Sequence, residues 1–306
     1  MALFILIGLL FYISIPINGQ KNIYIDSPSI NTIIPKLTKK GYSVGAIDRY
    51  LISLMGKVQK GWIYIGKKNI NRIDFIYHLT SPKMSYSIVT LVPGETTIIF
   101  MDQLAKKLAL NKDKLLKYYR QSSNFKEAGI LADSYNIPKN LKEKGVIRFL
   151  LKYSYNRYKK ISIKQFGQWD DNKWNRILTI ASIIQKEAAN KKEMSLVASV
   201  IQNRLAKNMR LQMDGTLNYG KYSHVRVTPK RIKNDLTTYN TYKHKGLPLY
   251  PVCSVSIDAI MAAIHPAKTR YLYFMKNDKG EHDFSISYKT HLKNIKKKIK
   301  ELKNKL

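Results

Sequence analysis

The chain has 306 residues, 44% of them hydrophobic, which is enough apolar material for a packed core and excludes global disorder. It carries 54 Lys and Arg against 20 Asp and Glu, a net charge of +34, so it is suited to a polyanionic neighbourhood such as nucleic acid, anionic lipid head groups or acidic wall polymers. The single cysteine, Cys253, excludes an intramolecular disulfide and a Cys-rich zinc site, and the six histidines show no metal-ligand spacing, so neither a metal nor another cofactor is expected. The lysines are spread along the chain rather than gathered in a patch, a pattern that favours compositional drift beside a polyanion over nucleic-acid recognition.

Residues 2–17, ALFILIGLLFYISIPI, hold no charge and read as a single-pass signal anchor, a little short of the ~20 residues a spanning helix needs. A buried N-terminal core element is the alternative. Residues 21–56 read as strand-like or turn-rich through Ile23, Ile25, Ile30, Ile33 and Ile34. Alternation at Trp62 and Tyr64 predicts a strand, 70–79 a short helix and 85–91 a second strand closed by Pro93-Gly94. Apolar spacing predicts helices over 96–110 and 112–120 with Asn111 between them; this G-E-T…L-A…L pattern resembles a LysM-like sugar-binding module. Residues 127–138 are turn-rich and read as a connector, and 146–158 as an amphipathic helix. The predicted organisation is α+β: a membrane anchor over 1–20, an N-terminal α+β region over 21–135 containing the LysM-like subdomain at about 90–122, and a mixed α/β catalytic domain over 136–306. The basic tail 293–306 reads as a solvated helix.

Within the last region, LTIASIIQKEAA (178–189) predicts a helix with Asp171 near its start. At about 100° per residue, Glu187 lies above Ile180 and beside Ile183 and Ile184, so its carboxylate continues the apolar stripe. Such a carboxylate has a raised pKa and suits a general acid, although a charge at the frayed end of a core helix gives the same pattern. A helix over 192–208 follows. Then come loops rich in Tyr, Asn, Gln and Thr: MRLQMDGTLNYG, TTYNTY and AAIHPA, with an aromatic strand at 269–275. Aromatic faces stack on sugar C–H surfaces while amides and hydroxyls satisfy sugar hydroxyls, and a nucleic-acid groove could use the same aromatics.

Taken in order, LTIASIIQKE, VASVIQNRLAKNMRLQMDGTLNYG, YNTYKHKGLPLYPV, AAIHPAKTRYLYFM and HDFS resemble the successive motifs of the YceG-like (MltG-type) endolytic murein transglycosylases. EAGILADSYN, the apolar N-terminus and the LysM-like stretch fit the same layout. The resemblance implies a single-pass inner-membrane enzyme with its catalytic domain on the periplasmic side. It would cut the β-1,4 bond between N-acetylmuramic acid and N-acetylglucosamine inside peptidoglycan glycan strands and leave 1,6-anhydro ends. It implies Glu187 as the catalytic residue, and penicillin-binding proteins and the elongation or division machinery as partners; no nucleic-acid partner is expected. Gln212, Asp214, Asn218, Tyr219, Tyr239, Asn240 and Tyr242 are the candidates for substrate positioning, with Asp214 alternatively a loop brace. Two departures from the family pattern stand out. Gln185 replaces the first of two glutamates, which leaves Glu187 as the one carboxylate of the motif, and Gly215 stands where Pro follows the aspartate, which is expected to bear on loop rigidity rather than on the chemistry. A catalytically inert, membrane-tethered glycan-binding scaffold is the competing reading.

Overall fold

The computed structural model describes residues 2–19, 22–27, 29–65, 69–81, 86–138 and 141–303. The chain divides by packing into two units, Met1–Ser85 and Tyr86–Leu306.

The first unit begins with α1 (Ala2–Ser14), followed by β1 (Ile17–Asn18), β2 (Asn22–Ile25), α2 (Ile30–Lys39), α3 (Ala46–Met55), β3 (Gly61–Tyr64), β4 (Asn69–Ile70) and α4 (Arg72–Thr80). β1 pairs with β4 and β2 with β3, both antiparallel. Segment 30–39, expected to be strand-like or turn-rich, is helical. Ile33 and Leu37 lie one turn apart and both enter the core, and tertiary burial outweighs the local preference. The Arg72 guanidinium meets the Asp48 carboxylate at 2.6 Å with both side chains buried, and the Tyr12 hydroxyl donates to the same carboxylate at 2.7 Å, which fastens the last turn of α1.

The second unit opens with β5 (Tyr86–Thr90), α5 (Thr97–Leu108), α6 (Lys112–Ser122) and β6 (Ser134–Pro138). β5 and β6 pair antiparallel from Tyr86↔Pro138 to Thr90↔Ser134, closing a βααβ unit. Part of the expected connector 127–138 is therefore a strand, and the helix pair expected with region 21–135 packs in the second unit. Asn111 caps α6, its side chain accepting from the Lys114 amide. Then come α7 (Glu143–Phe166), α8 (Asp171–Glu187), α9 (Met194–Ala206), the short α10 (Pro229–Asn234), α11 (Ile257–Ile264), the hairpin β7 (Tyr273–Lys276) and β8 (His282–Ser285), and α12 (Tyr288–Lys303). The α+β class stands, but the region expected to be mixed α/β is chiefly helical: among the described residues of 141–303 the strands are one two-stranded antiparallel hairpin.

α8 is the axis of this unit. Asp170, not Asp171, caps it, accepting from the Lys173 amide. From Ile177 to Ile184 every side chain is buried, so the helix is enclosed on all sides by α7, α9, α11 and the loops. Its two hydroxyls are satisfied inside the helix, Thr179 Oγ1 donating to the Asn175 carbonyl and Ser182 Oγ to the Thr179 carbonyl, both at 2.8 Å. Ser182 Oγ also accepts the Val252 amide at 2.8 Å and so pins the segment after GLPLYP to the helix. Ser182→Ala orphans that buried amide and is expected to lower unfolding free energy by about 1–3 kcal/mol in urea denaturation. An unchanged midpoint would mean that the bond contributes nothing to stability.

Candidate active site

Glu187 is the last residue of α8, and Ala188 caps the helix in an extended conformation. The side chain is thus carried out of the core at the end of a rigid rod and is only partly open to solvent. Beneath it a 3-10 turn, Asp214–Leu217, presents its backbone: the Gly215 amide donates to Glu187 Oε1 at 2.7 Å. Burial pushes the Glu187 carboxyl up to about 7; the Gly215 amide opposes the shift, nearby Asp214 adds to it, and Arg204 opposes it. Its place at the negative end of the helix dipole works in the same direction as burial. At neutral pH a substantial fraction of Glu187 therefore holds a proton, as a general acid requires.

Gly215 bears on this chemistry directly, not on loop rigidity alone. Its amide is the hydrogen-bond donor to the carboxylate, a donor that proline lacks. A Cβ at this position would stand 2.5 Å from Lys186 Cβ and 2.7 Å from Glu187 Oε1, so the turn approaches the helix end as closely as it does because this residue has no side chain.

The seven positioning candidates do not all reach the carboxylate. Asp214 is exposed beside Glu187 and accepts the Tyr242 hydroxyl at 2.7 Å; these two share the electrostatic field of Glu187. Tyr219 and Tyr239 stack at 4.3 Å, one hydroxyl donating to Asp235 and the other to the Pro251 carbonyl. Gln212 is exposed with a left-handed backbone (φ 50), its amide donating to the Thr241 carbonyl. Asn218 and Asn240 use their side-chain amides on backbone: Asn218 donates to the carbonyls of Tyr222 and Val225, and the fully buried Asn240 to those of Ile232 and Asp235. Both asparagines brace the loops that carry the tyrosines.

Four further groups support the site without announcing themselves in the sequence. Arg204, on one face of α9, is buried, and its guanidinium donates to the carbonyls of Leu272, Leu211 and Arg210, fixing the loop that leads into Asp214. Glu193 accepts the His282 amide at 2.8 Å, contacts His282 Nδ1 at 2.7 Å and accepts the Ala189 amide, tying the HDFS hairpin to the residues after Glu187. Gln185 accepts from the amide and hydroxyl of Ser256, the cap of α11. The turn 94–97 is stitched to the same region: Glu95 meets His224, Thr96 Oγ1 donates to the Gly220 carbonyl, and Lys186 Nζ reaches Ser223 Oγ at 3.0 Å. Spacing alone does not show the longer of these contacts, because Leu272 lies 68 residues from Arg204, His282 lies 89 from Glu193 and Ser256 lies 71 from Gln185.

Glu127 completes that stitch, accepting the amide and hydroxyl of Thr97 at 2.9 and 2.6 Å. Burial pushes its carboxyl from 4.5 to about 7. A folded-state pKa above the unfolded one favours the protonated form, so the stability it contributes is full below pH 4.5 and is lost as pH rises to about 7. Glu127→Gln keeps an acceptor for Thr97 and does not titrate. The variant is expected to lose less Tm than the wild type between mildly acidic and mildly alkaline buffer; parallel losses would count against a titrating Glu127.

The pattern of the YceG-like family matches residues 24–297. A Bacillus subtilis (strain 168) protein described as an endolytic murein transglycosylase is 41% identical over 126 residues, 41% of this chain and 35% of that protein. A protein of the same description from Streptococcus pneumoniae serotype 2 is 34% identical over 127 residues, 40% of this chain and 23% of that protein. The aligned part thus spans about a third of the first relative's length and about a quarter of the second's. A crystal structure of a yceG-like protein from Listeria monocytogenes shares the fold, with a TM-score of 0.59 at 22% identity over 89% of this chain and 98% of that one.

Proposed function

The chain belongs to the YceG-like family, and from that premise we propose that it is an endolytic murein transglycosylase with Glu187 as its catalytic acid and base. The observation that carries the reading is the placement of one carboxyl, raised to about 7, at the end of a buried helix among tyrosine-bearing loops. Ordinary glycosidases need two carboxylates, the second to attack the sugar or to activate water. A transglycosylase does not. Protonated Glu187 gives its proton to the glycosidic oxygen as the bond from muramyl C1 breaks. The carboxylate then takes the proton of the C6 hydroxyl of the same sugar while that oxygen bonds to C1. The products are a free N-acetylglucosamine hydroxyl and a 1,6-anhydro-muramyl end, and the enzyme regains its starting proton. To Asp214 and Tyr242, hydrogen-bonded to each other, the same reading gives the orientation of the sugar rings, with Tyr219 and Tyr239 as stacking faces.

The finer placements belong to the same proposal. The antiparallel closure of β5 on β6 around two helices supports a LysM-like, glycan-binding role for the stretch at about 90–122. No described helix is long and apolar enough to cross a membrane: α1 has 13 residues, roughly 20 Å of helix against a ~30 Å hydrocarbon core. A single-pass inner-membrane anchor, with the second unit on the periplasmic side, therefore rests on the uncharged run 2–17. The proposed partners are glycan strands and, at the membrane, penicillin-binding proteins with the elongation or division machinery.

Purified glycan strands incubated with the protein, followed by mass spectrometry, test the reaction. The expected products are internal fragments ending in 1,6-anhydro-N-acetylmuramic acid; reducing ends carrying an added water would identify a hydrolase instead.

A further inference from the structure

A cavity of the second unit lies away from Glu187. It is an open hollow of about 530 Å³ between α7 and the segment 122–129, a volume within the range of small-molecule sites. Its apolar floor includes Phe125, Leu151 and Tyr155, and one wall is Lys144, Arg148 and Lys152. These three cations stand at successive i, i+4 positions of α7, so their side chains line one face about 6 Å apart. Among the described residues none of the three forms an ion pair. Unpaired lysines are common in a chain of net charge +34, so charge alone decides nothing. What sets these apart is that they edge an aromatic hollow rather than a convex surface. The nearby carboxylate of Asp171 is occupied, accepting from Asn124 at 3.4 Å and from the Trp169 indole at 3.1 Å. Because Asn124 touches the first residue of α8, the cavity sits near the opposite end of that helix from Glu187, ~24 Å away by helical rise.

We propose that this cavity is a binding site for an organophosphate with an apolar body, the phosphate on Lys144, Arg148 and Lys152 and the body on Phe125, Leu151 and Tyr155. A phosphate monoester brings about −1.5 to −2 charges and three acceptor oxygens, which suits three adjacent cations better than one carboxylate does. The guanidinium of Arg148 offers a bidentate grip flanked by two point charges. The assignment is independent of the reaction at Glu187.

Calorimetric titration of the full chain with dodecyl phosphate, below its micelle concentration, tests it. Saturable one-to-one binding is expected, with inorganic phosphate and dodecanoate each weaker by roughly tenfold or more. Arg148→Glu with Lys152→Glu is expected to abolish binding, while Lys296→Glu with Lys297→Glu on α12 leaves it unchanged. If the charge-reversed pair does not fold, Arg148→Gln with Lys152→Gln replaces it. Phosphatidylcholine vesicles with and without phosphatidic acid, and soluble naphthyl phosphate, distinguish a lipid-borne from a free source. Vesicle capture that needs phosphatidic acid and Arg148 identifies the first. Binding of naphthyl phosphate without vesicle capture identifies the second. Dodecanoate binding as tight as dodecyl phosphate, equal loss from the α12 variant, or full binding by the α7 variants would each overturn the proposal. None of these readouts depends on glycan cleavage.

Discussion

Glu187→Gln is expected to abolish release of 1,6-anhydro-muramyl fragments from glycan strands, a fall of roughly 10²–10⁴ in rate, with the fold and Tm retained. The amide is nearly isosteric, and its oxygen can still accept the Gly215 amide that Oε1 accepts at 2.7 Å. What it lacks is a transferable proton. Since one group serves as both acid and base in the proposed cycle, no neighbouring carboxylate can take over half of the reaction. Asp214 is the nearest candidate and is held by Tyr242. Undiminished product from the variant would sink the assignment. Full complementation in cells despite lost cleavage in vitro would point instead to an inert, tethered glycan-binding scaffold.

The second large effect is expected at Gly215. The active form of Glu187 is protonated, so the pH–rate profile should fall as pH rises through about 7. The Gly215 amide favours the ionised form and holds that limb down. Its nitrogen lies within the first turn of the 3-10 segment and has no backbone acceptor there, so proline removes the bond to Glu187 and no ladder bond. Gly215→Pro should therefore move the limb to higher pH while lowering the maximal rate, because the added ring must displace Lys186 or Glu187. Gly215→Ala keeps the amide. It should lose rate by about tenfold or more through the same crowding, with its limb near the wild-type position. Equal limbs in all three proteins would show that the amide does not tune the acid.

Much of this site was legible in the sequence because the decisive pattern is local. The helical wheel that put Glu187 above Ile180 uses only residues of one helix, and α8 is regular from Asp171 to Glu187. Ile183 and Ile184, predicted to flank the carboxylate, are indeed fully buried. The loops were legible only as composition. Side-chain type marked Asn218, Asn240 and the tyrosines alike, but hydrogen-bond direction decides their use, and both asparagines face backbone carbonyls. Arg204 was illegible because a cation within an apolar helix pattern reads as a solvated face until its carbonyl acceptors are known. Region 21–56 read as strand-like or turn-rich because β-branched isoleucines favour extended structure locally, and the burial of Ile33, Leu37 and Ile52 on α2 and α3 reverses that. The pairing of β5 with β6 joins residues on either side of two helices, which periodicity does not report.

The stitches around Glu187 span long stretches of chain. Ser254 Oγ bonds the Val92 carbonyl, 162 residues upstream; Thr96 reaches Gly220 across 124, and Ser223 reaches Gly94 across 129. Closing such loops is entropically slow, and contacts of this range form late in folding. During synthesis the carboxylate at 187 leaves the ribosome well before the segment 252–256 that completes its surroundings. Any cutting by Glu187 would thus wait for segment 252–256 to be made and packed, and copies lacking that segment would be unable to cut.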